Sequence, residues 1–239
     1  MPHSILALHY WAGAGREFDA LRPFLPAHTQ LLAPDMPGFG QQPAPAGFDY
    51  SVRAYADWVA AYLRQYALDD FILLGHSMGG KIALALAARQ PPGLRRLVLL
   101  APSPPTPEPM TDADRAAALA AFGQPEAAAQ TFAKITRRPL DATVREHVIA
   151  DNLCCTEAAW DAWQQHGSRE DISGLMPQLR VPCHLLVGEA DAAITLKNQR
   201  RHTLPHLPAG TPLTVVPHAG HLLPLEAPTE IMEVLGFEG

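Results

Sequence analysis

The chain has 239 residues, 48% of them hydrophobic and 18% charged, with a formal net charge of −6. That length buries one sizeable core and suits a single α/β domain. The acidic balance, with basic residues scattered as short pairs (Arg95-Arg96, Arg137-Arg138, Arg200-Arg201), argues against a nucleic-acid-binding face.

Three cysteines, Cys154, Cys155 and Cys183, form no closed set of bridges and show no metal-ligand spacing, which reads as a reduced protein without a structural metal. A catalytic cysteine is the sharper alternative, but no site motif surrounds any of the three. The first apolar run, Ile5 to Leu8, is far too short to span a bilayer and lacks the charged flank of a leader, so a cytoplasmic protein without membrane contact is expected.

In chain order, short apolar runs alternate with helical patterns, as in a parallel sheet covered on both faces. Strands are predicted at Ser4–His9, Gln30–Pro34, Phe71–Leu74, Leu97–Leu100, His184–Val187 and Leu213–Val216. Helices are predicted at Ser51–Tyr66, Met78–Gln90, Leu196–Leu204 and Pro228–Leu235, the first with Ser51 among its plausible N-caps. Trp58 and Tyr62 in that helix read as core. The stretch from about Thr111 to Gly167 breaks the alternation with three or four Ala-rich helices: Thr111–Phe122, Pro125–Ile135, Ala142–Asn152 and Thr156–His166. A proline-dense spacer over residues 102–109 leads into them. The expected division is a core of residues 1–103 and 171–239 with a helical cap over 104–170. Within the cap, the pairs Leu119/Phe122, Phe132/Ile135 and Trp160/Trp163 fall at i, i+3 spacing. Each pair either packs the cap onto the core or roofs an apolar pocket.

The strongest chemical signal is Gly75-His76-Ser77-Met78-Gly79-Gly80, set between a predicted strand and a predicted helix. A serine on so tight a turn needs small neighbours, and in return its hydroxyl is presented at the C-terminal sheet edge, by the positive end of the helix. Such a hydroxyl needs a base, and the base an acid to orient it. Both follow in order just past later strands. Asp191 competes with Glu189 for the acid and is preferred because Glu189 suits the turn. His221 competes with His218 for the base and is preferred because Gly220 lets its loop bend. An oxyanion would take one backbone N–H from Met78 and a second from the His9–Gly15 loop, assigned to Trp11.

With these motifs the chain resembles the α/β-hydrolase superfamily, in its esterase, thioesterase and C–C hydrolase branch with a helical cap. His9-Tyr10-Trp11 stands at the family's oxyanion loop, Asp35-Met36-Pro37-Gly38-Phe39-Gly40 at its D-x-x-G-x-G turn, and Gly188 to Asp191 and Gly220-His221 with Glu226-Ala227-Pro228 at its acid and histidine segments. The resemblance implies Ser77 as nucleophile, Asp191 as acid, His221 as base, Trp11 and Met78 as oxyanion donors, and no cofactor. The substrate it implies is a small ester or thioester. Tyr10 departs from the usual glycine of the oxyanion loop, and Gln41-Gln42 stand where a serine often follows the D-x-x-G-x-G turn. The chain starts at the family's third strand, so a mostly parallel sheet of six strands is expected. Its exposed edge is compatible with a monomer or a homodimer.

Overall fold

The computed structural model describes residues 4–236. Six strands, β1 (Ser4–Leu8), β2 (Gln30–Leu32), β3 (Phe71–His76), β4 (Leu94–Leu100), β5 (Cys183–Gly188) and β6 (Leu213–Val216), form one sheet in the order β2-β1-β3-β4-β5-β6. Every neighbouring pair is parallel.

The strands are apolar throughout because both faces are covered, and the pleat divides their side chains between two cores. Leu6, Leu8, Leu73, Leu97 and Leu99 point to one face, where α1 (Val52–Gln65) and α2 (Met78–Ala87) pack. Ile5, Ala7, Ile72, Leu74, Val98 and Leu100 point to the other, against Phe18 and Leu21 of a 3₁₀ helix at Gly15–Phe24 and Ile231, Met232 and Leu235 near the C-terminus. A one-residue slip in any strand would exchange the two sets.

The Ser51 hydroxyl caps α1 by accepting from Ala54 N–H at 3.0 Å, as the sequence predicts. Trp58 and Tyr62 are half-buried at the margin of the core rather than inside it, with their rings 5.7 Å apart. Between β4 and β5 lie four helices: α3 (Asp112–Ala120), α4 (Pro125–Ile135), α5 (Ala142–Leu153) and α6 (Glu157–Gln165). The expected helix at Leu196–Leu204 is instead a short α7 (Leu196–Asn198) running into a π turn at Gln199–Thr203 and a 3₁₀ turn at Leu204–His206. Pro205 has no N–H to extend the ladder, and the chain bends there. After β6 come α8 (Leu223–Glu226) and α9 (Pro228–Leu235).

The inserted helices are tied to the sheet from below. Lys81 of α2 is wholly buried, and its ammonium donates to the carbonyls of Thr106 at 3.2 Å and Glu170 at 2.5 Å. Those carbonyls lie on the segments entering and leaving the insertion. The same segments pair through Glu108 N–H to Ser168 O at 2.8 Å and Ile172 N–H to Pro105 O at 2.7 Å. Burial depresses the Lys81 pKa to about 8, against the opposing pull of Glu108, Glu170 and Asp171.

Candidate active site

Ser77 sits between β3 and α2 with φ 51° and ψ −115°. A side chain in that region is strained, by about 1–3 kcal/mol, and holds only where the surroundings dictate it. The surroundings here are close-packed backbone. A Cβ on Gly75 would lie 2.7 Å from Gly79 O and 2.8 Å from Gly80 Cα, and one on Gly79 would collide with Leu8 O. Ser77 O accepts from Gly80 N–H at 2.9 Å and Ser103 N–H at 2.9 Å, which fixes the turn from inside. Gly79→Ala is therefore expected to cost about 3 kcal/mol or more, because the obstacle is strand backbone that cannot repack. Chemical denaturation of the variant measures it, and an unchanged midpoint would show that β1 gives way.

His221 and Asp191 lie against each other. His221 Nδ1 lies 2.7 Å from Asp191 Oδ2, and both side chains are buried. Asp191 is held in turn by Ala193 N–H at 2.7 Å and Ile194 N–H at 3.0 Å on its Oδ1. Burial by itself lowers the basicity of His221, but the charge and hydrogen bond of Asp191, with Glu108 adding to them, raise its pKa above the ordinary imidazole value. Nδ1–H directed at the carboxylate leaves Nε2 as the free acceptor in the neutral ring. The competing pair lies elsewhere: Glu189 and His218 are exposed and face each other, His218 N–H donating to Glu189 Oε2 at 3.0 Å.

Tyr10 takes no positive φ, so its position does not need glycine; the left-handed residue of this loop is Ala12, at φ 62°. Tyr10 O accepts from Gly13 N–H at 3.1 Å and from His9 Nδ1 at 2.7 Å. His9 donates through Nδ1 because its Nε2 accepts Met36 N–H at 2.9 Å. In a trans peptide the C=O and the next N–H point opposite ways, so this grip on Tyr10 O aims Trp11 N–H in the other direction. Met78 N–H opens α2, in the turn where N–H groups lack helical partners. Asp35 buttresses the same loop, its carboxylate accepting from Gly15 N–H at 2.8 Å and Gln41 N–H at 2.8 Å. Gln41 thus serves the turn through its backbone.

Three further carboxylates lie near these residues: Glu226, in the segment that the resemblance pairs with Gly220-His221, and Glu17 and Glu108, which carry no signal of their own in the sequence. Glu226 accepts from Gly220 N–H at 2.9 Å and Leu222 N–H at 3.1 Å, bracketing His221, and also from Arg137 and Arg138 N–H, each at 2.8 Å. His221 N–H donates to Ile135 O at 2.7 Å, so its loop is fastened to the end of α4. Glu17 is buried with Oε1 3.0 Å from His76 Nδ1, while His76 Nε2 is 2.8 Å from His221 O. A carbonyl only accepts, so Nε2 carries the His76 proton. Burial, helped by the His221 charge, drives the His76 pKa down to about 3, which keeps the ring neutral and makes Nδ1 an acceptor. Glu17 must then be the protonated donor, in keeping with burial, which raises its pKa well above the usual carboxylate range. Glu108, the third, borders the cavity beside Ser77 and His221.

The cavity itself measures about 560 Å³, within the ordinary range of small-molecule sites. Tyr10, Trp11, Ser77 and His221 form its floor, and α3 to α6 its roof. Of the aromatic and aliphatic pairs singled out by spacing, Phe132/Ile135 and Trp160/Trp163 line it and Leu119/Phe122 do not. Burial raises the thiol pKa of Cys155 to about 11 and of Cys183 to about 12, the reverse of what a nucleophilic cysteine needs. Among the described residues, no cluster of His, Cys, Asp or Glu is arranged to hold a metal ion and no helix is long and apolar enough to cross a membrane.

Comparison with known proteins places this geometry among relatives. Residues 5–234 match the alpha/beta hydrolase family. The pimeloyl-[acyl-carrier protein] methyl ester esterase of Neisseria meningitidis serogroup C is 32% identical over 228 residues, covering 91% of this chain and 86% of its own. A 2-hydroxy-6-oxo-2,4-heptadienoate hydrolase of Pseudomonas putida is 42% identical over 87 residues, 36% of this chain and 32% of its own. Among solved structures, an esterase from Exiguobacterium antarcticum superposes with a TM-score of 0.88 at 20% identity, over 98% of this chain and 90% of that one.

Proposed function

The chain belongs to the alpha/beta hydrolase family, and from that premise we propose that it is a serine hydrolase cleaving small or medium carboxylic esters through an acyl-enzyme. The observation that carries the reading is the buried 2.7 Å contact of His221 with Asp191 at the wall of the cavity that Ser77 also lines. In this reading residues 1–103 and 171–239 are the core, and residues 104–170 a cap that roofs the acyl pocket.

His221 Nε2 takes the Ser77 proton as Oγ attacks the ester carbonyl, and Asp191 holds the ring in the tautomer that leaves Nε2 free. The oxyanion of the tetrahedral intermediate lies between Trp11 N–H and Met78 N–H, each such donor being worth about 3–4 kcal/mol of transition-state stabilisation. Collapse expels the alcohol, which takes its proton from His221. Water, activated by the same imidazole, then frees the acid and restores Ser77.

A methyl ester is the bond named for a relative matched over 91% of this chain, which supports an ester over a thioester. C–C bond hydrolysis is the second reading, favoured by the local likeness to the heptadienoate hydrolase. A panel of p-nitrophenyl esters and acyl-CoA thioesters of graded acyl length decides among them. The expected result is multiple turnovers on the p-nitrophenyl esters with the thioesters slower. Tight binding without product release would replace the enzyme by a ligand-binding protein of the same fold.

A further inference from the structure

The roof of the cavity is not purely apolar. Asn152 of α5 and Gln164 of α6 both border it, at 7% and 2% exposure. Asn152 Oδ1 and Gln164 Oε1 are buried with no hydrogen-bond partner among the described residues. The indole Nε1 of Trp11 is in the same condition, although Trp160, whose ring lies 4.2 Å away, donates its own indole N–H to Ala118 O at 3.0 Å. Buried polar atoms are paired as a rule, and an unpaired set gathered around one cavity calls for a partner that arrives from outside.

The elements carrying these groups are held in place. Arg16, just past the Trp11 loop, forks onto Asp151, with Nη2 2.6 Å from Oδ1 and Nε 2.9 Å from Oδ2. This fixes the end of α5, and with it Asn152, beside the loop. On the opposite side, the buried Arg115 of α3 donates to Gln164 O at 3.0 Å and to the Ser168 hydroxyl. The last torsion of an Asn or Gln side chain is soft, so either amide turns toward the cavity at little cost. Each then offers an acceptor or a donor as required.

We propose that Asn152, Gln164 and the Trp11 indole form a polar subsite that selects substrates with a second, neutral oxygen function, a ketone or hydroxyl, in the acyl chain. The inference rests on the ester hydrolysis proposed above. The exposed lining residues Asp114, Gln130 and Lys134 mark the rim, whereas Asn152 and Gln164 are buried, so the proposal places the acyl chain against the amides and the leaving group toward the rim. A free carboxylate in that chain would enter a cavity that Glu108 also lines, and the amide pair brings no positive charge to offset it.

The test compares p-nitrophenyl esters of a straight-chain acid, of the keto acid of equal length, and of the matching half-acid bearing a free carboxylate. On wild type, the keto ester is expected to show a kcat/KM about tenfold above the plain ester, as one hydrogen bond to a buried partner gives. In Asn152→Leu and Gln164→Met that ratio falls toward one, through loss on the keto ester. Wild type alone is decisive whatever the folding of the variants. Equal rates on the keto and plain esters, or a preference for the carboxylate-bearing ester, overturn the subsite and leave ester hydrolysis standing. No turnover of any ester overturns the hydrolase reading, and the subsite with it.

Discussion

Ser77→Ala is expected to lower kcat on p-nitrophenyl esters by on the order of 10⁴- to 10⁶-fold, leaving what the oxyanion donors and the binding pocket supply. The fold should survive, because the turn is held by backbone: Ser77 N–H donates to Leu100 O at 3.0 Å, and Ser77 O accepts from Gly80 and Ser103. None of these bonds uses the hydroxyl. Alanine also keeps the strain at φ 51°, ψ −115°, since that strain comes from having a Cβ at all. Glycine does not. Ser77→Gly should therefore be as inactive as Ser77→Ala but more stable by about 1 kcal/mol. Ester assays paired with denaturation curves read both effects. Retained activity in either variant would remove Ser77 from the chemistry, and equal stability of the two would mean that the turn carries no strain.

The parts of this site that sequence reveals are those whose causes are local. Strands buried on both faces leave unbroken apolar runs such as Ile5–Leu8 and Leu97–Leu100, and the elbow needs glycines at fixed offsets from Ser77. Asp191 and His221 are proposed from their order and their places after β5 and β6. What sequence hid are contacts made at long range by ordinary residue types. Glu226 stands in a segment that the resemblance names, but its bonds to the backbone of Arg137 and Arg138 span 89 and 88 residues. Glu17 meets His76 through 59 residues of separation. Lys81, one more Lys in an apolar helix by sequence, binds the two ends of the insertion together. Nothing in their spacing marks them, because each partner is set only when the sheet has brought distant segments side by side. The same holds for the helices between β4 and β5: i, i+3 spacing does not separate Leu119/Phe122 from Phe132/Ile135 or Trp160/Trp163, of which the tryptophans are the favoured pocket pair, and packing puts the last two pairs on the cavity.

Asp191→Asn is expected to leave the fold intact and to reduce kcat by about 10⁴-fold, because it leaves the wrong nitrogen protonated. The asparagine carbonyl would keep the two N–H bonds from Ala193 and Ile194, which Asp191 Oδ1 now accepts. Its NH₂ would then face His221 Nδ1, which must accept. The proton moves to Nε2, where it blocks removal of the Ser77 proton. The pH profile gives a second, independent reading. If His221 is the base, the wild-type rate is expected to track its neutral form, so kcat/KM should climb with pH through a pKa raised above the ordinary imidazole value and level off beyond it. Asp191 raises that pKa against the desolvation of a fully buried ring, and Glu108 assists. With the carboxylate gone, desolvation dominates, the imidazolium loses its main counter-charge, and the acid limb moves to lower pH. Glu189→Gln, at the exposed neighbouring carboxylate, should change neither rate nor limb. A variant whose limb stays at the wild-type position would show that Asp191 does not set the basicity of His221. Near-normal activity in Asp191→Asn together with loss in Glu189→Gln would transfer the acid's role to the turn residue.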